Sequence, residues 1–95
     1  MMSLEHIRND IARVDDDILR LLAKRMELAE LVLEEKKKLG IQINDERQNE
    51  IVIKRAMERA IELNVDTTAV KELFTLLIRM SIERQHEMAG EGNLP

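Results

Sequence analysis

Apolar residues fall at Ile7, Ile11, Val14, Ile18 and Leu21, and again at Leu28 and Val32, in steps of four and three. That spacing returns side chains to one face of an α-helix; a strand would alternate every second residue. The stripe predicts a first helix over about 4–39, with Ser3 as N-cap and Gly40 as a left-handed stop. The loop GIQIND leads to a second helix over about 46–63, ending at Asn64. NVDT, with Asp66 or Thr67 as cap, leads to a third over about 68–88, and the tail 90–95 reads as frayed. No segment alternates with strand period, so the fold class is all α, with three helices in a single domain spanning 1–95.

The first helix is too long for its own domain. At about 1.5 Å per residue it would reach on the order of 54 Å. A compact chain of this size has a radius of gyration of only about 12 Å. The apolar stripe nevertheless continues along almost the whole helix, and left in water it would be an aggregation hazard. The expectation is an intertwined homodimeric helical bundle in which helix 1 packs on its mate.

Composition narrows the chemistry. The 95 residues include no Cys, Trp or Tyr, one Phe and two His. Thiolate nucleophiles, disulfides and zinc knuckles are therefore excluded, and His6 and His86 lack ligand spacing. No cofactor is expected. A net charge of −4 and the missing aromatic platforms argue against nucleic acid. The N-terminus has no apolar core of signal-peptide type and no run is long enough to span a bilayer, so the expected location is cytoplasmic, away from membrane.

Polar residues interrupt the apolar stripes on every helix. Arg25 occupies the next beat after Leu21, with Leu21, Leu22, Leu28 and Ala29 three and four residues away. Lys36 sits among Val32, Leu33, Leu39 and Gly40. On helix 3 the stripe Val70, Phe74, Leu77 continues through Ser81 and Gln85, and on helix 2 the stripe Val52, Ala56, Ala60 runs back to Gln48, with Arg47 beside it. The inward carboxylates are few: Asp15, Asp45 and Glu50. Buried cations need an anion, and their excess here points to an anionic ligand. Arg25 and Lys36 lie eleven residues apart, close to three turns and about 16 Å along one helix face, a span over which long side chains can clamp a small dianion. Each residue also has an ordinary structural reading. Arg25 could set register or pair across a dimer, Lys36 could end a solvated EEKKK run, Ser81 could bond back to its own helix, and Asp45 with Gln48 has capping-box spacing. Their joint occurrence on three helices favours a polar site.

The stretch RNDIARVDDDILRLLAKRMELAELVLEEKK resembles the first helix of the all-helical chorismate mutases, with its pattern of Arg8, Asp15, Arg25 and Lys36. LFTLLIRMSIERQ is similar to the family's closing segment, with Ser81 and Gln85 at its two polar positions. The resemblance covers roughly residues 4–88. It implies an isomerase that rearranges chorismate, a small dianion, to prephenate in phenylalanine and tyrosine biosynthesis, in an intertwined dimer with two sites. It also implies that Arg8 of the partner subunit and Arg25 hold the two carboxylates and that Arg47 lines the site. Lys36 and Gln85 would donate to the ether oxygen, while Ser81 and Gln48 would meet the ring hydroxyl and carboxylate region. Family members commonly carry Asp, two further residues, then Arg-Glu at the start of helix 2; here the run reads Asp45, Glu46, Arg47, Gln48, one residue shorter and with Gln48 where Glu is usual. An isochorismate-pyruvate lyase on the same scaffold, a helical dimerisation module without ligand, and association with another shikimate-pathway enzyme are the other readings.

Overall fold

A computed structural model describes residues 2–90. It contains three helices in chain order: α1 (Leu4–Leu39), α2 (Glu46–Glu62) and α3 (Thr67–Met88). Of the tail expected to fray, 90–95, Gly90 is described as a turn residue at φ 77° and 91–95 lie outside the described residues.

Each boundary follows from local chemistry. The Ser3 hydroxyl accepts from the His6 amide at 3.1 Å, which satisfies one of the free donors at the start of α1. At the other end Gly40 takes φ 67°, a left-handed conformation that glycine adopts without steric penalty. The Ile41 amide then returns to the Lys36 carbonyl at 2.9 Å, closing the last turn. Asp45 caps α2 through the Gln48 amide, and Asp66, rather than Thr67, caps α3 through the Ala69 amide. Asn64 carries the connection between α2 and α3 at φ 56°, a conformation Asn tolerates better than most residues.

Helix α3 packs against both α1 and α2, whereas α1 and α2 do not pack on each other. They diverge from a shared floor. Leu33 and Ala29 of α1, Ile78 of α3 and Ala60 of α2 are the buried apolar residues of this small core. A partly exposed ion pair, Glu30 with Arg84 at 2.6 Å, spans the α1–α3 seam.

The N-terminal half of α1 lies outside this core. Ile11, Ile18 and Leu21 are 54%, 57% and 69% exposed, whereas Ala29 and Leu33 in the C-terminal half of the same helix are buried. The chain is correspondingly elongated, 57 × 30 × 23 Å, with a radius of gyration of 16.7 Å. No described helix is long and apolar enough to cross a membrane.

Candidate active site

Because α1 and α2 both lean on α3 and part from one another, a cavity of about 260 Å³ opens between them. Helix α1 contributes Arg25, Leu28, Val32 and Lys36 to its wall, in the same four-and-three rhythm that marks its apolar stripe. Helix α3 supplies Ile78, Ser81, Ile82 and Gln85. The first turns of α2 supply Gln48, Asn49 and Val52, and the loop supplies Ile43. Polar and apolar walls alternate, as a pocket for a small ring with charged arms requires.

At one end Arg25 is partly buried. Its Nη1 donates to the Leu77 carbonyl at 3.1 Å and to the Ser81 hydroxyl at 2.5 Å. Ser81 in turn donates back to the Leu77 carbonyl at 3.1 Å. The serine thus bonds to its own helix, as its ordinary structural reading expects, and in addition takes a hydrogen bond from the inward cation. Burial lowers the pKa of Arg25, and the charge of Arg55 on α2 lowers it further. Arg55 stands seven residues after Gln48 and three after Val52, on the side of α2 that faces Arg25.

At the other end Lys36 donates from Nζ to the Ile43 carbonyl and to Gln85 Oε1, the latter at 3.1 Å. Gln85 is 3% exposed, and its Nε2 donates to the Ala29 carbonyl at 2.9 Å. An ammonium can only donate, so Lys36 dictates that the amide oxygen of Gln85 faces it and that the NH₂ turns toward Ala29. One N–H of Gln85 and one of Lys36 remain for a ligand. Burial lowers the Lys36 pKa, and Asp45 opposes that shift.

No described carboxylate forms an ion pair with Arg25 or Lys36. The seven ion pairs of the described residues all lie elsewhere, six within single helices and the seventh between Glu30 and Arg84. Two partly buried cations thus face one cavity with carbonyls, a hydroxyl and an amide as hydrogen-bond partners and no carboxylate in an ion pair with either. Hydrogen bonding keeps them tolerable: no buried side-chain nitrogen or oxygen among the described residues lacks a partner.

The remaining candidates divide. Gln48 reaches the cavity wall. Asp45 is the α2 cap and acts on Lys36 through its charge rather than by lining the cavity. Arg47, expected to line the site, is exposed and is not among the residues that line the cavity, whereas Gln48 and Asn49 are. Arg8 is exposed and lies about 25 Å along α1 from Arg25, so it does not reach the cavity of its own chain. Asn49, absent from the residues expected at the site, also lines the cavity. Its signal was present: the stripe Val52, Ala56, Ala60 extends backward by three to Asn49 as well as by four to Gln48. The pattern of Asp, two residues, then a pair therefore falls on Asp45 and Gln48-Asn49, with its spacing intact and both members of the pair uncharged.

Comparison with known proteins agrees with this geometry. The family profile for chorismate mutase type II matches residues 7–86. The chain is similar to a chorismate mutase of Methanocaldococcus jannaschii, 39% identical over 88 residues that cover 93% of this chain and 89% of the relative. It is also 30% identical over 84 residues to a bifunctional chorismate mutase/prephenate dehydratase of Buchnera aphidicola, covering 88% of this chain but 22% of that longer protein. The chain belongs to the type II chorismate mutase family.

Proposed function

We propose that the chain is a chorismate mutase that rearranges chorismate to prephenate in the cavity between α1, α2 and α3. The observation that carries this reading is a pair of cations without an ion-pair partner, Arg25 and Lys36, at opposite ends of one cavity. The substrate is a flexible dianion, and the reaction is pericyclic. It needs no nucleophile and no proton relay.

The site has two tasks. The first is to hold the substrate in its compact chair-like conformer, so that the reacting carbons meet without further loss of freedom. Arg25 anchors one carboxylate, and Gln48 faces the region around it. The second is to stabilise the negative charge that grows on the ether oxygen as the C–O bond lengthens. Lys36 does this as a fixed cation whose attraction strengthens in the transition state. Gln85 aligns the Lys36 ammonium through its oxygen and retains one N–H for the same ether oxygen.

The second carboxylate falls to Arg8 of the partner subunit in an intertwined homodimer. The exposed half of α1 supports this reading, since Ile7, Ile11, Val14, Ile18 and Leu21 form a continuous apolar stripe with no cover in the single chain. A second copy buries that stripe and brings its own Arg8 to a cavity that lacks a second anchor.

The test is loss of chorismate absorbance with purified protein, run beside an isochorismate assay that reads pyruvate. Prephenate formation is the expected result. Pyruvate from isochorismate with chorismate unchanged would overturn the assignment in favour of lyase chemistry on the same scaffold.

A further inference from the structure

The cavity is rich in donors and poor in acceptors. Arg25 and Lys36 only donate, the Ser81 oxygen already receives Arg25, and the Gln85 oxygen already receives Lys36. The side-chain acceptors in the wall with no donor already on them come from α2: the amides of Gln48 and Asn49. Asn49 differs from Gln48 in being held. Its Nδ2 donates to the side-chain oxygen of Asn44 at 2.9 Å. Asn44 is in the α1–α2 loop, just before the Asp45 cap, and does not line the cavity.

From this clip we infer that Asn44 is a positioning residue. It holds the Asn49 amide by its NH₂ and so presents the Asn49 carbonyl oxygen to the ligand. Two facing amides could in principle exchange donor and acceptor. The field of the cavity decides between the arrangements, because with Arg25 and Lys36 both in its wall the negative end of the Asn49 amide dipole faces inward. The rival account is purely structural. Asn44 and Asn49 occupy the two positions at a helix start where a pair of apolar residues often staples the entering chain, and two amides could do no more than that.

The positioning role makes a chemical selection that the staple does not. A carbonyl oxygen turned into the cavity accepts from a neutral hydroxyl and repels a carboxylate. On the mutase reading, on which this inference rests for the identity of its ligand, that hydroxyl belongs to the substrate ring. Because neither amide titrates, the selection holds without any dependence on pH.

The experiment compares Asn44→Ala and Asn44→Asp with the unmodified full chain. Kinetics are read with chorismate, and inhibition with a ring dicarboxylate prepared with and without its hydroxyl. Exchange of the Asn49 side-chain NH₂ is followed by NMR in the ligand-free protein. Asn44→Ala is expected to raise KM for chorismate about tenfold, the scale of one neutral hydrogen bond, while kcat changes little. The same variant weakens the hydroxylated inhibitor and leaves the deoxy form unchanged, and it speeds Asn49 exchange. Asn44→Asp keeps an acceptor oxygen in place and restores all three. Equal loss on both inhibitors, a lower Tm with unchanged KM, or Asn49 exchange indifferent to Asn44→Ala would each overturn the positioning role. If the unmodified chain does not turn over chorismate, the mutase reading fails by itself, and the exchange measurement still decides whether Asn44 holds Asn49.

Discussion

Lys36 Nζ and Gln85 Oε1 meet at 3.1 Å across the seam between α1 and α3, forty-nine residues apart in the chain. The bond is directional in a useful sense. A cation that can only donate settles the orientation of a buried amide, and the amide, locked to the Ala29 carbonyl behind it, returns a fixed position to the cation. A preorganised charge of this kind does not have to reorient during the reaction.

Lys36→Ala should therefore damage turnover more than affinity. Loss of one preorganised donor at a developing oxyanion typically lowers kcat by about 10²–10³. Lys36→Met, which keeps the stem but not the charge, should fail to the same degree while melting close to the unmodified protein. Steady-state kinetics beside thermal melting check both. Near-normal turnover in either variant would remove Lys36 from the mechanism.

Burial sets the alkaline limit. It lowers the Lys36 pKa below that of an ordinary lysine, and Asp45 holds it up against that shift. kcat/KM should fall as pH rises through this depressed value, and Asp45→Asn, which still caps α2, should move the fall to lower pH. Stability moves the opposite way. The unfolded chain binds the Lys36 proton more tightly than the folded one, so this group's contribution to stability rises with pH across the window between the two pKa values. On the acid side Gln85 does not titrate, and activity should stay level from mildly acid to neutral pH. A pH–rate profile with urea titrations tests all of these signs.

Arg55 acts on Arg25 from across the gap between α1 and α2. Arg55→Glu replaces a repelling cation with a carboxylate opposite the substrate's anchor. The new carboxylate should compete for Arg25 and raise KM by roughly tenfold, the scale of one exchanged charge contact near a surface. Arg55→Gln should have a smaller effect. Equal kinetics for both variants would show that Arg55 does not influence the carboxylate end.

A site shared between two subunits, as proposed, predicts complementation. Arg8→Ala and Arg25→Ala should each be nearly inactive alone. Mixed after unfolding and refolding together, they should recover about a quarter of the activity, because half the dimers are mixed and each carries one intact site. No recovery would mean that both arginines serve the same chain. Ile11→Glu or Ile18→Glu, on the uncovered stripe, should shift sedimentation toward a single chain and abolish activity with it.

Much of the fold was legible because helical chemistry is local. The four-and-three rhythm from Ile7 to Val32, the Ser3 cap and the Gly40 stop depend on residues within a turn or two of one another. The inward cations Arg25 and Lys36 were visible for the same reason, as breaks in a pattern whose neighbours are all apolar. At the start of α2 the local signal was ambiguous. The stripe there could be extended by three or by four, and only the packing of α1 and α2 on α3 shows that Gln48 and Asn49 line the cavity while Arg47 is exposed outside it.

The sequence by itself thus determined three helices, their ends, and the fact that charge sits on faces that should be apolar. The tertiary structure decided what those charges meet. That Ser81 takes Arg25, that Gln85 orients Lys36, and that α1 and α2 part over α3 to leave room for a ligand are relations between residues about fifty positions apart. No local propensity encodes them, because they arise only when the apolar faces of separate helices pack and carry their polar interruptions to the same place.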